Sequence, residues 1–208
     1  MEHVVKKKVL ALIAVLSLAT LTACGQLNSA ATLGDITITQ SSFQATIDEL
    51  LKERESVDQS QMQLEEGGAL NRSQLRFLVI TTIFDEIAKE LKLSVSKTDQ
   101  ATTRQTLVEQ SGGEAALTQN LVAAQIAPSN FERYIRAIII TEKLAAALKA
   151  AGIADDAVDV RITELVNAKA KELEVTINPR YGTWNYEAGD ILATDSAGDA
   201  IAPQQPAQ

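Results

Sequence analysis

One histidine and one cysteine limit the chemistry that this chain can perform. His3 and Cys24 are the only residues of their types in the 208-residue sequence. Beyond Cys24 there is no imidazole or free thiol for a nucleophile–histidine pair, a His-ligated zinc or a disulfide. A Ser–Lys dyad or a carboxylate pair remains formally open, but no motif points to either. We therefore expect no catalytic residues, no metal site, no cofactor and no enzymatic activity.

The surroundings of Cys24 indicate a different use for its sulfur. It ends the run Leu21-Thr-Ala-Cys24, behind an apolar stretch of about 15 residues and three lysines, Lys6 to Lys8. A stretch of this length suits a signal peptide and is shorter than the ~20 residues of a membrane-spanning helix. The order resembles the lipobox of bacterial lipoproteins, which implies a diacylglyceryl group on Cys24 and cleavage after Ala23. The alternative is an ordinary secretory signal with an unrelated cysteine.

Lipidation predicts where the protein works. Two or three acyl chains give durable membrane anchoring, whereas one gives marginal binding. We expect residues 1–23 to be a lipoprotein signal peptide and residues 24–31 a membrane linker, with the domain lipid-anchored on the extracytoplasmic face of the cell membrane. Because the leader holds three of the 19 basic and one of the 27 acidic residues, the remainder carries a net charge of −10. That charge excludes nucleic acid as an expected partner.

Apolar residues spaced by three and four predict a mainly α-helical fold. Helices are expected over residues 41–54, 73–91, 96–110, 114–124, 128–151 and 157–173. Residues 57–70 are polar and contain glycine, which predicts a mobile loop, and the pairs Gly67-Gly68 and Gly112-Gly113 predict turns. We interpret Asp155 and Asp156 as helix-capping residues rather than metal ligands.

Two helix starts carry capping patterns. The segment Ser96-Lys-Thr-Asp99 resembles a capping box. Either Asn71 or Ser73 is expected to cap the helix that follows.

Two short alternating segments lie at opposite ends of the helical region. Ile36 and Ile38 alternate with threonines, and Val175 and Ile177 repeat the pattern. Because a lone strand is unstable, we predict that the two segments pair as a small two-stranded sheet packed on helices. The domain is expected to occupy residues 32–186. Residues 187–208 lack apolar periodicity, which predicts a disordered tail.

Several segments together resemble the N-terminal chaperone module of the SurA/PrsA family of exported peptidyl-prolyl isomerases. Segment 31–39 is similar to the family's first strand, and Phe43 matches the aromatic residue that follows it. Segment 74–95 is similar to the family's long helix, and segment 127–136 is similar to the start of a later helix. Segment 175–184 is similar to the family's closing strand and turn. The resemblance implies a SurA N-terminal-like helical domain that binds polypeptides.

The chain departs from the enzymes of that family in one respect. Those enzymes carry a parvulin domain with active-site histidines. Here only residues 150–156 separate the last two long helices, and no histidine follows His3. The resemblance therefore implies the binding module without the isomerase.

Two functions fit these observations. The first is a membrane-anchored holdase that binds exported unfolded polypeptides in an apolar groove between the helices and the strand pair. Its candidate peptide-binding residues are Phe43, Phe77, Phe84, Phe131 and Tyr134.

The second function is a structural or adaptor lipoprotein that binds one fixed cell-envelope protein. Its candidate interface residues are Arg180, Tyr181 and Trp184, since Trp and Arg are common interface anchors. The alternative for all of these aromatic residues is a place in the core.

Overall fold

A β-hairpin opens the part of the chain that the structure describes. This computed structural model describes residues 28–194. Strands β1 (Ser29–Leu33) and β2 (Ile36–Thr39) pair antiparallel, and the turn between them begins with Gly34 at a φ of 55°. Glycine adopts this left-handed conformation without the steric cost of a Cβ, so it suits a two-residue turn. The alternation of isoleucine and threonine correctly predicted β2.

Six α-helices follow β2 within the described residues, which confirms the mainly helical fold class. They are α1 (Gln40–Arg54), α2 (Gly67–Glu90), α3 (Lys97–Ser111), α4 (Glu114–Ala123), α5 (Phe131–Ala150) and α6 (Val158–Glu172). Single 3₁₀ turns lead into α5 and α6, at Pro128–Asn130 and Asp155–Ala157. The predicted turn at Gly112-Gly113 separates α3 from α4.

Side-chain caps set the starts of α1 and α3. The Thr39 hydroxyl accepts a hydrogen bond of 3.1 Å from the amide of Ser42. Ser96 and Asp99 form the predicted capping box: the Ser96 hydroxyl accepts from the Asp99 amide at 3.0 Å, and the Asp99 carboxylate accepts from the Ser96 amide at 3.1 Å. These bonds satisfy amides that a helix start leaves without intrahelical partners.

Helix α2 begins earlier than its sequence predicted. It starts at Gly67, after Glu66, which makes no side-chain capping bond. Asn71 and Ser73 therefore lie inside the helix, so the prediction that one of them caps it is wrong. The interpretation of Gly67-Gly68 as an interhelical turn is wrong for the same reason. Leu70 is buried in the core, and such packing of an apolar face stabilises a helical turn that propensity alone disfavours.

A third strand, β3 (Thr176–Ile177), joins the hairpin into a sheet of order β2-β1-β3. Ala31 of β1 lies opposite Ile177 in antiparallel register. The predicted pairing of the N- and C-terminal segments is therefore confirmed, but the N-terminal partner is β1 and not the isoleucines of β2. The sheet has three strands and not two.

Two predicted boundaries are corrected by the strands. The linker proposed over residues 24–31 ends before Ser29, where β1 begins. The disordered tail proposed over residues 187–208 begins too early, because β5 (Asp190–Leu192) pairs antiparallel with β4 (Thr183–Asn185). Ile191 of β5 is only 4% exposed.

The core has two parts. The larger part lies beneath the three-stranded sheet and between α1, α2, α6 and the second half of α5. The smaller part lies where α4 meets the first half of α5, and its buried side chains are Leu117, Phe131, Ile135 and Ile139. Helix α3 covers this smaller part with the half-buried Leu107 and Val108. The two parts meet along α5, so α5 places the smaller cluster relative to the sheet.

Candidate functional site

The candidate peptide-binding aromatics do not form one surface. Phe43 of α1 is fully buried, and its ring meets that of Tyr181 edge-on, with 5.0 Å between the ring centroids. Phe77 and Phe84 of α2 are half-buried and pack against the larger part of the core. The prediction that Phe43 lines a groove is wrong, because no part of its side chain is accessible.

Phe131 and Tyr134 lie apart from these three residues, in the smaller part of the core. Phe131 is the first residue of α5 and is 6% exposed, and Tyr134 packs beside it half-buried. Phe131 forms part of the wall of an open cleft between α3, α4 and the start of α5, which we call the apolar cleft. The apolar cleft is therefore a surface depression that contains one of the predicted peptide-binding residues, Phe131.

Apart from Phe131, the apolar wall of this cleft comes from residues that the sequence did not mark as candidate binding residues. They are Leu117 and Leu121 of α4, Ile126, and Pro128 in the 3₁₀ turn, together with Phe131. The spacing of four between Leu117 and Leu121 places both on one side of α4. That spacing was a usable signal, but α4 is short and its other positions include three alanines and Val122.

The size of the apolar cleft limits what it can hold. Its volume is about 280 Å³. A cavity of ~150 Å³ accepts a benzene-sized group, whereas pockets for drug-sized ligands and cofactors measure ~300–1,000 Å³. The cleft therefore has room for one or two apolar side chains of a polypeptide and little room for a cofactor.

Charged residues form the rim of the cleft. Three are acidic, Glu53, Glu114 and Glu132, and one is basic, Arg104. The Arg104 guanidinium donates to the Glu132 carboxylate at 2.8 Å and lies 4.8 Å from the centre of the Phe131 ring. This stacking fixes Arg104 across the aromatic wall, in a cation–π arrangement. The rim retains an excess of negative charge, which favours ligands with basic side chains.

A buried polar network positions the segment next to the cleft. Arg54 at the end of α1 is 5% exposed; it donates to the Glu65 carbonyl at 2.9 Å and to Gln125 Oε1 at 2.8 Å. The Gln125 carbonyl accepts from Gln74 Nε2 at 2.6 Å. Gln125 has a φ of 60°, an uncommon conformation for a residue with a side chain. The network thus holds the chain in place immediately before Ile126 of the cleft wall.

Burial of Arg54 changes the pKa of its guanidinium. Desolvation lowers the pKa of its guanidinium, and the carboxylates of Glu66 and Glu65 partly oppose that change. Arg54 remains charged, since a guanidinium is not deprotonated in proteins. A buried cation of this kind requires its acceptors to be in place, so it ties Glu65, within the predicted mobile loop 57–70, to the end of α1.

The three candidate interface residues differ in their exposure to solvent. Trp184 of β4 is 6% exposed and belongs to the larger part of the core, so it is not a surface anchor. Arg180 is exposed, lies 5.6 Å from the centre of the Tyr181 ring and donates to Gln40 Oε1 at 3.2 Å. The half-buried Tyr181 contacts Phe43. Arg180 is therefore the only one of the three that is exposed.

Cys24 lies outside the described residues, and the interpretation of Asp155 and Asp156 as capping residues is wrong, because no side chain caps the start of α6 or the 3₁₀ turn before it. Asp155 pairs with Lys149 at 3.0 Å and lies in the 3₁₀ turn before α6. Among residues 28–194 no group of three His, Cys, Asp or Glu side chains is arranged to hold a metal ion. In the same range, no helix combines the length and the apolar character needed to cross a membrane.

Comparison with known protein families gives a match. A family model described as "SurA-like N-terminal domain" matches residues 1–145 of the chain. No curated protein shows significant similarity to the chain. No solved structure does so either.

Proposed function

Because this chain belongs to the SurA-like N-terminal domain family, whose domain is associated with chaperones, we propose that it is a holdase for exported polypeptides. It holds unfolded segments passively and does not isomerise them. The apolar cleft carries this proposal, because a small open cleft with an aromatic wall suits side chains of an unfolded chain. The acidic rim adds a preference for segments in which apolar and basic residues alternate.

The absence of isomerase activity is part of the proposal. Helix α5 ends at Ala150 and the 3₁₀ turn before α6 begins at Asp155, so only residues 151–154 connect them. This connection has no room for an inserted catalytic domain. The sequence beyond Cys24 also lacks the histidines that such a domain uses.

We further propose that Cys24 carries the lipid and tethers the domain to the outer side of the membrane. The motif before Cys24 supports this proposal, and β1 begins only five positions later, at Ser29. Five residues span at most ~18 Å even when extended. The end of the sheet near Ser29 would then face the lipid surface, and polypeptides would be held as they leave it.

A bulky side chain in the apolar cleft tests the holdase proposal. Thr118 of α4 lines the cleft half-buried, and its hydroxyl donates to the Glu114 carbonyl at 3.2 Å. Thr118→Trp fills the cleft without removing an apolar contact. Suppression of aggregation of a chemically unfolded basic protein is then measured by light scattering. We expect the variant to require about fivefold more protein for half-suppression, the equivalent of ~1 kcal/mol of binding.

Thr106→Trp is the matched control. Thr106 is exposed on α3 outside the cleft, and its hydroxyl makes the same kind of bond, to the Thr102 carbonyl at 3.0 Å. We expect suppression by this variant to equal that of the wild type. If the wild-type protein suppresses no aggregation and instead co-purifies from membranes with one protein, the adaptor function replaces the holdase. Arg180 is the exposed residue from which that interface would be mapped.

A further inference from the structure

The outer edge of β2 faces a second cleft, and we propose that an extended acidic polypeptide segment binds there as a fourth strand. This proposal deepens the proposed holdase function and rests on it. The bound segment would hydrogen-bond to β2 through its main chain, and one of its carboxylates would reach Arg133. The second cleft, called the edge cleft below, has a volume of about 250 Å³.

The sheet leaves this edge uncovered. Its order is β2-β1-β3, so β2 pairs with β1 on one side, and no described strand lies on its other side. The edge cleft is lined by Ile36, Thr37 and Ile38. Consecutive strand residues point to opposite faces of a sheet, so a cleft that touches all three runs along the strand edge. An exposed edge of this kind is a template for an added strand.

The register of the hairpin indicates which main-chain groups are available. Leu33 and Ile36 flank the two-residue turn, and Thr32 lies opposite Thr37. Residues flanking such a turn form a hydrogen-bonded pair, and hydrogen-bonded and non-hydrogen-bonded pairs then alternate along the ladder. Thr37 therefore belongs to a non-hydrogen-bonded pair. Its amide and carbonyl point away from β1, toward the open edge.

Two donors on the opposite wall of the edge cleft lack strong partners. Asn130 is 6% exposed, and its side-chain amide nitrogen has no hydrogen-bond partner. Arg133 makes only long hydrogen bonds, of 3.5 Å to the Thr81 hydroxyl and 3.4 Å to the Thr82 hydroxyl. Bonds of this length are weak. A buried amide without a partner is costly, so a ligand oxygen at this wall would be stabilised.

The charges near Arg133 favour an anionic group. Asp85 is its nearest carboxylate, at 3.9 Å, and the same carboxylate makes a much closer contact with Arg136. One carboxylate is thus shared by two guanidinium groups, and the cluster carries a surplus positive charge. A carboxylate of a bound segment would neutralise it through a charge-assisted hydrogen bond.

Peptide binding to the full chain in detergent tests the proposal. The probe is a short fluorescein-labelled peptide of alternating valine and threonine that ends in two glutamates, and binding is measured by fluorescence anisotropy. A second peptide carries two glutamines and an amidated C-terminus. Thr37→Pro removes the outward amide, and proline is tolerated on edge strands where the N–H faces outward. Thr37→Val is the matched control, since it keeps the amide and the shape of the side chain.

We expect Thr37→Pro to weaken binding of both peptides about tenfold or more, and Thr37→Val to change it less than about twofold. Arg133→Gln should weaken the glutamate peptide about fivefold and leave the glutamine peptide unchanged. A peptide N-methylated at every second amide repeats the test without altering the protein. Of the two possible methylation patterns, one should abolish binding and the other should not, because alternate amides face the edge.

Three results overturn the proposal. One is no binding of either peptide to the wild type. Another is equal binding by both methylation patterns together with unchanged binding by a folded Thr37→Pro variant. The third is weaker binding of the glutamate peptide by Arg133→Gln without any weakening by Thr37→Pro, which would indicate a site for free carboxylates. None of these results bears on Thr118→Trp, so the holdase proposal and the edge proposal fail separately.

Discussion

Ala31 and Ile177 lie opposite each other in the ladder between β1 and β3, although they come from opposite ends of the described chain. Both side chains are buried, with 1% and 5% of their surface exposed. In the sequence, all six helices lie between the two strands that this pairing joins. A contact between such distant segments carries a large loop-closure cost, so we expect it to form late in folding.

A charge at Ile177 should open this ladder. Ile177→Asp places a carboxylate on the buried face of β3, within the apolar core, where it loses most of its hydration. We expect a loss of about 3 kcal/mol or more in the free energy of unfolding. Urea denaturation followed by circular dichroism measures the loss.

The neighbouring residue of the same strand provides the control. Thr176 is exposed, so Thr176→Asp should cost less than about 0.5 kcal/mol. Equal losses in the two variants would show that β3 has no buried face in solution.

The last strand should contribute to stability even though the sequence predicted disorder there. Ile191 is 4% exposed opposite Trp184, and Leu192 beside it is 50% exposed. Ile191→Ala should destabilise the protein by about 2 kcal/mol or more, whereas Leu192→Ala should cost less than about 0.5 kcal/mol. Thermal and urea melts of both variants check this. A melt of Ile191→Ala that matches the wild type would restore the prediction of a disordered tail from residue 187.

The buried Arg54 network should behave as a coupled unit. Arg54→Met leaves the guanidinium's acceptors unsatisfied, and one Glu65 carboxylate oxygen is already buried without a hydrogen-bond partner. Each buried acceptor left without its donor costs about 1–3 kcal/mol, so we expect a loss of that order. We expect Glu65→Gln to restore part of this loss in the double variant, which a double-mutant cycle in urea would quantify.

An exposed arginine provides the control, since its replacement leaves no buried acceptor without a donor. The Arg104 side chain is 45% exposed, so Arg104→Met should cost less than about 1 kcal/mol. If Arg54→Met costs no more than Arg104→Met, the network does not tie Glu65 to the end of α1.

Asp99 of the α3 capping box should make the free energy of unfolding depend on pH in the acidic range. The hydrogen bond from the Lys143 side chain, followed by that from the Ser96 amide, lowers the pKa of the Asp99 carboxyl. Because the folded pKa is below the unfolded one, Asp99 stabilises the fold fully above the ordinary carboxyl pKa of ~3.9. That contribution declines as the pH falls from ~3.9 through the lower folded pKa.

Asp99→Asn tests this dependence. The variant should be less stable than the wild type near neutral pH, and the difference should shrink in the acidic range where Asp99 is protonated in the folded protein. Urea midpoints across the acidic range measure it. A difference that stays constant with pH would mean that the charge of Asp99 does not stabilise the folded state.

Replacement of the lipidation residue tests the anchoring proposal. Cys24→Ala removes the sulfur that the lipobox-like motif presents, while the described domain begins several residues later. We expect the variant to leave the detergent phase in Triton X-114 partitioning, or to accumulate with its signal peptide uncut, and to keep the wild-type circular dichroism spectrum. Partitioning equal to that of the wild type would contradict lipid anchoring.

Local patterns in the sequence determined the helices and one of their caps. A stripe of apolar residues at spacings of three and four is a property of one segment, and the Ser96–Asp99 box is a contact between neighbours in the chain. The pattern of β2 was readable for the same reason, since Ile36 and Ile38 alternate within four residues.

The strand partners and the clefts were decided only by the tertiary structure. Ala30 and Ala31 have weak strand propensity, and β1 forms because β2 and β3 pair with its two edges. The sequence also could not separate Phe43, buried against Tyr181, from Phe131, which borders a cleft. Whether the apolar face of a helix is covered depends on which other helices pack against it, and that information is not local to any segment.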